Sequence, residues 1–337
     1  MTEPGLVYRP PEPPRPPGPP GPPGIGTPDY DDVLAAEGIS LEAVGQWRLA
    51  WMKFLRHRVA VVSLVILVLL GLACALAPWI APRDPAAQDL SNQFAKPGEA
   101  GFILGSDSIG RDLLTRLMYG GRVSLAVGLG VAVLAGTAGT LVGAIAGFYG
   151  KWVDATLMRV TDTFLALPAL VVLIVAAKVL GGSVLDIVLV VSLVSWMPIA
   201  RIVRGVFLSL REKEFVDAAR TLGASNGRII FRHLLPNALG PIIVNLTLTV
   251  AAAILAESAL SFLGLGVQPP TATWGNMLAR SKSYMQIASH LVWLPGLMIL
   301  ITVLCVNFVG DGLRDALDPT QKLGARKVRA PKKSLAP

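Results

Sequence analysis

Several stretches of roughly twenty residues in this 337-residue chain contain almost no charged side chain. A run of about 20 apolar residues, folded as a helix, crosses the roughly 30 Å hydrocarbon core of a bilayer. Helices of a large soluble protein would keep a polar face, and these runs have none. Only 15% of the residues are charged, against about 25% in soluble domains. The chain is therefore predicted to be an all-α polytopic membrane protein embedded in a lipid bilayer.

The apolar runs predict six transmembrane helices and their orientation. Of the 30 Lys and Arg residues, 22 lie in segments on the same side as the N-terminus and 8 in the alternate segments. Because basic residues concentrate in cytoplasmic loops, both termini are predicted to be cytoplasmic. The net charge of +8 is thus explained by orientation, and no nucleic-acid partner is expected. The spans are predicted at residues 59–79, 123–147, 161–180, 184–207, 238–262 and 291–310.

The two ends of the chain differ from the apolar centre. Residues 1–30 are dominated by Pro and Gly and predict a disordered cytoplasmic tail, and residues 314–337 form a basic cytoplasmic tail. Between the first tail and the first span, Ser40 is a candidate N-cap for a helix lying on the membrane surface. A continuous extension of the first span is the alternative. The apolar face of this helix consists of Trp47, Trp51, Phe54 and Leu55.

Small residues recur every four positions in the second span. Ala135, Gly139, Gly143 and Gly147 share one helical stripe, and such a stripe lets another helix approach closely. The pattern indicates helix packing without identifying the partner helix.

A polar segment, EFVDAARTLGASNGRIIFRHLLPNAL, separates the fourth and fifth spans. A helix is predicted from Arg211 to Leu222, with Gly223 as its C-terminal cap, Ser225 as the next N-cap, and Pro236 as the stop before the fifth span. The result is a short helix–turn–helix against the inner face of the membrane. Ala218 and Ala219 predict a low surface for a partner's groove, with Asp217, Arg220, Arg228 and Arg232 supplying charges around it.

This segment resembles the EAA loop of ABC-importer permeases. The resemblance rests on Asp217-Ala218-Ala219, Gly223 and Leu235-Pro236; the family form begins with Glu, and Asp217 keeps the carboxylate. Residues 104–128 and 254–278 resemble the C-type permease of dipeptide and oligopeptide importers. The resemblance implies a type I ABC-importer permease fold, with a coupling loop at 211–236 that contacts an ATPase subunit. It divides the chain after the first tail into residues 31–122 (interfacial helix, first span and outer loop, similar to the N-terminal region of that C-type permease) and 123–313 (five-helix core).

The same resemblance implies the partners. A second homologous permease of the B type, cytoplasmic ATPase subunits that use ATP and Mg²⁺, an extracytoplasmic binding protein and a peptide cargo are expected, in a prokaryotic inner or plasma membrane. Related permeases carry nickel chelates or other peptide-like solutes, so the cargo stays open. An ion-coupled secondary transporter or a membrane scaffold are alternatives from other classes. The former usually carries several ionisable groups near the midplane or inverted repeats, and neither is clear here.

Glu257 is a carboxylate inside the fifth predicted span, where it is costly unless paired or hydrated. It is either part of the translocation path or an outer gate, together with Ser258, or a carboxylate hydrogen-bonded to hydroxyls and neighbouring helices. Residues 263–285 are predicted as an outward loop, which the resemblance implies approaches the binding protein or cargo. Trp274 is predicted as an anchor of this loop at the membrane interface and, with Glu257 and Ser258, as a candidate for the translocation path or gate.

No catalytic, cofactor or metal site is predicted for this chain. The sequence contains no G-x-x-x-x-G-K-[ST] phosphate loop, so ATP hydrolysis is assigned to partner subunits. Its three His residues are scattered without metal-ligand spacing, and Cys74 and Cys305 lie in apolar runs, where packing is the expected role.

The orientation is tested by single cysteines in a cysteine-free variant. Cysteines at positions 30 and 325 should be protected from an impermeant thiol reagent in intact cells, whereas one at Gln93 should be labelled, because the basic residues place the termini inside. Labelling at either terminal position contradicts the six-span arrangement.

Overall fold

The structure is a computed structural model that describes residues 46–317. These residues form helices, with one isolated β-bridge and no β-strand among them. The predicted N-terminal tail, Ser40 and the residues beyond 317 lie outside the described part. The helices are α1 (Gln46–Arg56), α2 (Arg58–Ala75), α3 (Ala77–Ile80), α4 (Leu113–Tyr149), α5 (Lys151–Leu165), α6 (Ala169–Leu180), α7 (Val184–Arg211), α8 (Glu214–Thr221), α9 (Asn226–Arg228), α10 (Leu235–Phe262), α11 (Trp274–Ser281) and α12 (His290–Leu317).

Five helices in the described part are long and apolar enough to cross a membrane: α2, α4, α7, α10 with the turns that precede it, and α12. The bent pair α5–α6 counts as a sixth span if it crosses as one unit. The prediction of an all-α polytopic membrane protein is therefore confirmed. Cys74 and Cys305 are buried free thiols.

The third predicted span is not one continuous helix. Its range, 161–180, contains a break between α5 and α6, whose axes are bent by 86°. The cause is Pro168, which has no N–H to donate and disfavours helical backbone in the residue before it. Val172 donates its N–H to the Pro168 carbonyl and so begins α6. At 12 residues, α6 rises only about 18 Å, too short to cross the membrane alone.

The helix before the first span is separate from it. α1 ends at Arg56 and α2 begins at Arg58, with His57 between them as an N-cap whose Nδ1 accepts from the Ala60 N–H at 3.1 Å. The continuous alternative is therefore excluded. Phe54 is buried against α2 and α12, whereas Trp51 and Leu55 are exposed.

Most spans extend beyond their predicted ends. α4 begins ten residues before the predicted 123, because Asp112 caps it by accepting the Thr115 N–H at 2.7 Å. α12 continues to Leu317, four residues into the range predicted as the basic tail. The predicted ends follow the apolar part of each helix. The helices continue past it because polar residues at their ends also form helical backbone hydrogen bonds.

The small-residue stripe of α4 lies against α7, its main packing partner. A Cβ atom added to Gly139 would lie 2.5 Å from the Trp196 carbonyl oxygen, and one added to Gly143 would lie 2.4 Å from the Ala200 carbonyl oxygen. Real Cβ atoms do not approach backbone oxygens so closely. The two helices are therefore in backbone contact, which only glycine permits at these positions.

We expect Gly143→Ala to lower the thermal unfolding midpoint of the detergent-purified protein, because the new methyl must push two helix backbones apart. Overpacking of this kind costs about 1–3 kcal/mol. Gly71→Ala in α2 is the control, since nothing lies within 4 Å of its added Cβ. Equal midpoints for the two variants would show that the α4–α7 contact tolerates a side chain.

Candidate coupling site and the Glu257 cluster

The polar segment between α7 and α10 begins with a helix shorter than predicted. Arg211 belongs to the last turn of α7, and the separate helix α8 spans Glu214–Thr221. The predicted single helix from Arg211 to Leu222 is therefore wrong. The chain leaves helical geometry at Glu212 and Lys213, and Lys213 starts α8 from extended backbone (φ −89°, ψ 144°).

Gly223 turns the chain after α8. It adopts φ +77°, its N–H donates to the Arg220 carbonyl at 2.9 Å, and the Ala224 N–H donates to the Ala219 carbonyl at 3.0 Å. These two bonds form a Schellman cap. Nothing lies within 4 Å of a Cβ added there, so the requirement for glycine is one of backbone conformation alone. Ser225 then accepts the Arg228 N–H and caps α9.

One face of this segment is anchored in the protein core. Val216 and Ala219 of α8, with Ile229 and Leu234 after α9, are buried in the same apolar cluster as Phe207 of α7. The predicted low surface of two alanines is therefore reduced to Ala218, because Ala219 lies one helical turn from Val216 on the buried stripe.

The opposite face carries exposed apolar side chains among charges. Leu222 is 87% exposed, and Phe215 and Phe231 are also exposed, although the sequence analysis singled out none of them. Phe215 precedes the buried Val216 on α8, Leu222 follows the last residue of α8, and Phe231 lies in the turn at Ile229–Leu234, so no single sequence periodicity marks all three. Exposed large apolar groups on a polar segment mark an interaction surface.

The charged residues of the segment are solvent-facing. Arg220 Nη1 donates to Asp217 Oδ1 at 3.2 Å, and both side chains are largely exposed. Arg228 and Arg232 are exposed as well, and no ion pair between described residues includes either of them.

Pro236 is predicted as the stop before the fifth span, and this prediction is wrong. Pro236 lies in the first turn of α10, which continues from a π-helical turn at Ile229–Leu234. The Leu235 N–H donates to the Ile230 carbonyl, one residue further back than in an α-helix. A proline has no N–H and its ring crowds the preceding turn; the wider π turn lies immediately before it, so the helix passes through without a break.

Arg211 ties this segment to the end of α4. Its Nη1 donates to the carbonyls of Gly147 and Phe148 at 3.3 Å each, which satisfies acceptors that the end of α4 leaves free. Two turns earlier in α7, Arg204 forms a two-pronged ion pair with Asp154 of α5, with 2.6 Å between Nη2 and Oδ2. The base of this polar segment (residues 211–236, called the coupling segment below) is therefore fixed to two other helices.

At the other end of the core, Glu257 is completely buried. Its Oε1 accepts from Ser261 Oγ at 2.7 Å and from Thr273 Oγ1 at 2.8 Å. Thr273 also caps α11 in a reciprocal pair with Asn276. These contacts fit the alternative in which Glu257 is hydrogen-bonded to hydroxyl groups, and through Thr273 they link α10 to α11. Glu257 Oε2 and the Ser258 hydroxyl have no hydrogen-bond partner among the described residues, and a role for either in translocation stays a prediction.

Trp274 is completely buried. Its indole Nε1 donates to the Leu117 carbonyl at 2.9 Å, and its backbone N–H donates to Ser124 Oγ at 3.2 Å, both on α4. The interpretation as a membrane-interface anchor is therefore wrong. The predicted loop around it contains α11, whose first residue packs inward at Gly121, where an added Cβ would lie 2.5 Å from the Trp274 ring.

Comparisons with known proteins agree with this architecture. Residues 139–323 match the family described as "binding-protein-dependent transport system inner membrane component", and residues 45–97 match the "N-terminal TM domain of oligopeptide transport permease C". A chain of the inward-facing MetNI methionine ABC transporter superposes with a TM-score of 0.51 at 18% identity, over 60% of this chain and 96% of that one. This likeness shows a shared fold.

Relatives of higher identity cover most of the chain. A dipeptide transport system permease protein of Alkalihalophilus pseudofirmus is 42% identical over 280 residues, covering 83% of this chain and 92% of that protein. An oligopeptide transport system permease protein of Haemophilus influenzae is 39% identical over 287 residues, covering 85% and 92%. This chain therefore belongs to the family of binding-protein-dependent transport system inner membrane components, the permease subunits of ABC importers.

Proposed function

We propose that this chain is one of two permease subunits in an importer of short peptides, and that α8 and the turn after it transmit ATP-driven movement. The observation that carries the proposal is the two-sided character of the coupling segment. One face is anchored in the core through Val216 and Ala219, while Ala218 and Leu222 on the other are exposed. A segment that must receive force from one protein and pass it to membrane helices requires both faces.

The transmission path follows from the rigid attachments of the segment. α8 leads directly from α7 and, through the π turn, into α10. Arg211 and Arg204 fix the end of α7 to α4 and α5. Movement of a docked ATPase subunit would therefore shift several helices together rather than bend one loop. In this mechanism ATP and Mg²⁺ are bound by the ATPase subunits, and this chain binds neither.

The peptide cargo is proposed from the relatives. Proteins 39% and 42% identical over most of the chain are named as oligopeptide and dipeptide permeases, and the first 50 or so matched residues correspond to the N-terminal region of the oligopeptide type. The same likeness supports a prokaryotic inner membrane location, a B-type partner permease and a separate binding protein. The basic residues support cytoplasmic termini. The domain division at residues 31–122 and 123–313 also belongs to this proposal.

The cargo is tested by uptake. Cells that lack this chain should lose uptake of labelled dipeptides and tripeptides and regain it on complementation, with free peptides competing. Loss of nickel-chelate uptake with unchanged peptide uptake would contradict the peptide assignment while preserving the importer assignment.

Ala218→Trp should abolish ATP-driven uptake while the protein still reaches the membrane, because the indole adds bulk to a docking face and not to the core. Ala218→Ser, which keeps the side chain small, should retain uptake. Uptake is measured in membranes matched for permease content, together with co-purification of the ATPase subunits. Full uptake by the Trp variant would exclude α8 as the coupling element.

Gly223→Ala and Gly227→Ala form a matched pair. Both glycines are exposed and have open space around an added Cβ, but Gly223 has φ +77° and Gly227 has no such strain. Left-handed backbone costs a non-glycine residue about 1–2 kcal/mol. Gly223→Ala should therefore weaken ATPase co-purification and uptake, and Gly227→Ala should not. Identical behaviour of the two variants would show that the turn geometry is irrelevant to coupling.

A further inference from the structure

A cavity of about 220 Å³ opens between the start of α4, the segment before it, and α11. Three arginines, Arg111, Arg116 and Arg280, line it, and Asp107 is the one acidic residue among its lining residues. We name this set the arginine recess. Under the proposed orientation it faces outward, at the opposite end of the protein from the coupling segment.

Asp107 is already occupied by its own loop. Its Oδ1 accepts the N–H groups of Ile109 and Arg111 at 3.0 Å each, and its Oδ2 accepts Arg111 Nε at 2.7 Å. The loop is fixed further by the Asp107 N–H, which donates to the Arg111 carbonyl at 3.0 Å. This carboxylate therefore shapes the loop and neutralises one of the three guanidinium groups.

Arg116 is the unexplained charge. Its side chain is only 6% exposed, yet its nearest carboxylate oxygen, Asp107 Oδ2, is 3.7 Å from Nε, beyond hydrogen-bond distance. The side chain makes no hydrogen bond to any of the described residues. It also lies in the first turn of α4, where the helix dipole disfavours a cation. A nearly buried guanidinium that shares its one carboxylate with Arg111 and makes no hydrogen bond is costly, which points to an anion that completes the site.

Arg280 adds a third positive charge at the rim. It lies in the last turn of α11, is exposed, and is absent from the ion pairs formed between described residues. With three guanidinium groups and one carboxylate, the recess has an excess of two positive charges. The planar fork of a guanidinium matches a carboxylate with two parallel hydrogen bonds.

We propose that the arginine recess binds one carboxylate group presented by a larger molecule at the outer face. The cavity volume indicates that the carboxylate belongs to a larger molecule. Pockets that enclose a whole ligand typically measure about 300–1,000 Å³, and this cavity is smaller. Two sources share the chemistry: an acidic side chain of the binding protein on which this family depends, and the terminal carboxylate of a peptide cargo. The inference rests on the proposed function for its orientation and its partners.

The test uses the assembled transporter in sealed proteoliposomes, with ATP inside and the purified binding protein outside. Arg280→Gln removes the rim charge, and Ser108→Asp places a competing carboxylate on the lining of the recess, with Ser108→Asn as its neutral counterpart. Lys96→Gln makes the same charge change in the outer segment away from the recess. One arm measures the binding-protein concentration that half-stimulates ATP hydrolysis; the other measures uptake of free against C-terminally amidated peptides at saturating binding protein.

If the source is the binding protein, Arg280→Gln and Ser108→Asp should raise the half-stimulating concentration about tenfold, and Lys96→Gln and Ser108→Asn should not. If the source is the cargo, that concentration stays constant and the two recess variants lose the preference for free over amidated peptide. Unchanged values in both arms, or equal changes in Lys96→Gln, would overturn the proposal. ATPase co-purification and wild-type peptide uptake are read in parallel, so failure of the recess is distinguished from failure of the importer assignment.

Discussion

The backbone contact between α4 and α7 is the constraint on which the rest of the structure depends. Glycines on α4 allow the Ala200 carbonyl to approach where a side chain would clash. Association of helices in lipid gains little from the hydrophobic effect and relies on such close packing. The C-terminal end of α4 then receives Arg211 at the carbonyls of Gly147 and Phe148, and its N-terminal end receives the indole of Trp274. One long helix thereby sets the positions of the coupling segment and of α11 together.

Polar side chains that are buried or partly buried join elements of this protein to one another. Glu257 joins α10 to α11 through Thr273, and Arg204 joins α7 to α5 through Asp154. Hydrogen bonds to charged groups contribute more than neutral ones, about 1.5–3 kcal/mol, and they fix direction as well as distance. Arg116 is the exception, since its charge is buried without an equivalent bond. The proposed carboxylate from another molecule would supply the hydrogen-bond acceptor that Arg116 lacks.

The sequence predicted the class of the protein, and the turn at Gly223 and the cap at Ser225 in the polar segment between α7 and α10, because apolar runs, glycine turns and serine caps act locally. It failed where tertiary context decides. Ala219 and Ala218 are chemically identical, and only the packing of α8 into the apolar cluster that contains Phe207 makes one buried and the other exposed. Tryptophan is a residue type typical of membrane interfaces, but Trp274 is buried because Gly121 on α4 leaves space for its ring. Proline is by itself a signal for a helix break, so the break at Pro168 could have been predicted. The apolar residues around it instead led to the prediction of one continuous span at 161–180.

The break between α5 and α6 requires covering by protein or access to water if it lies within the membrane. Irregular backbone within a span is tolerated only where protein covers it or water reaches it, because lipid offers no hydrogen-bond partner. α6 packs on α7 through Leu173 and Ala177, yet Leu167, at the break, is half exposed. A single copy of this chain therefore leaves a side chain at the break exposed. In the proposed importer, a second permease subunit or a water-filled path along this face would cover the bent pair.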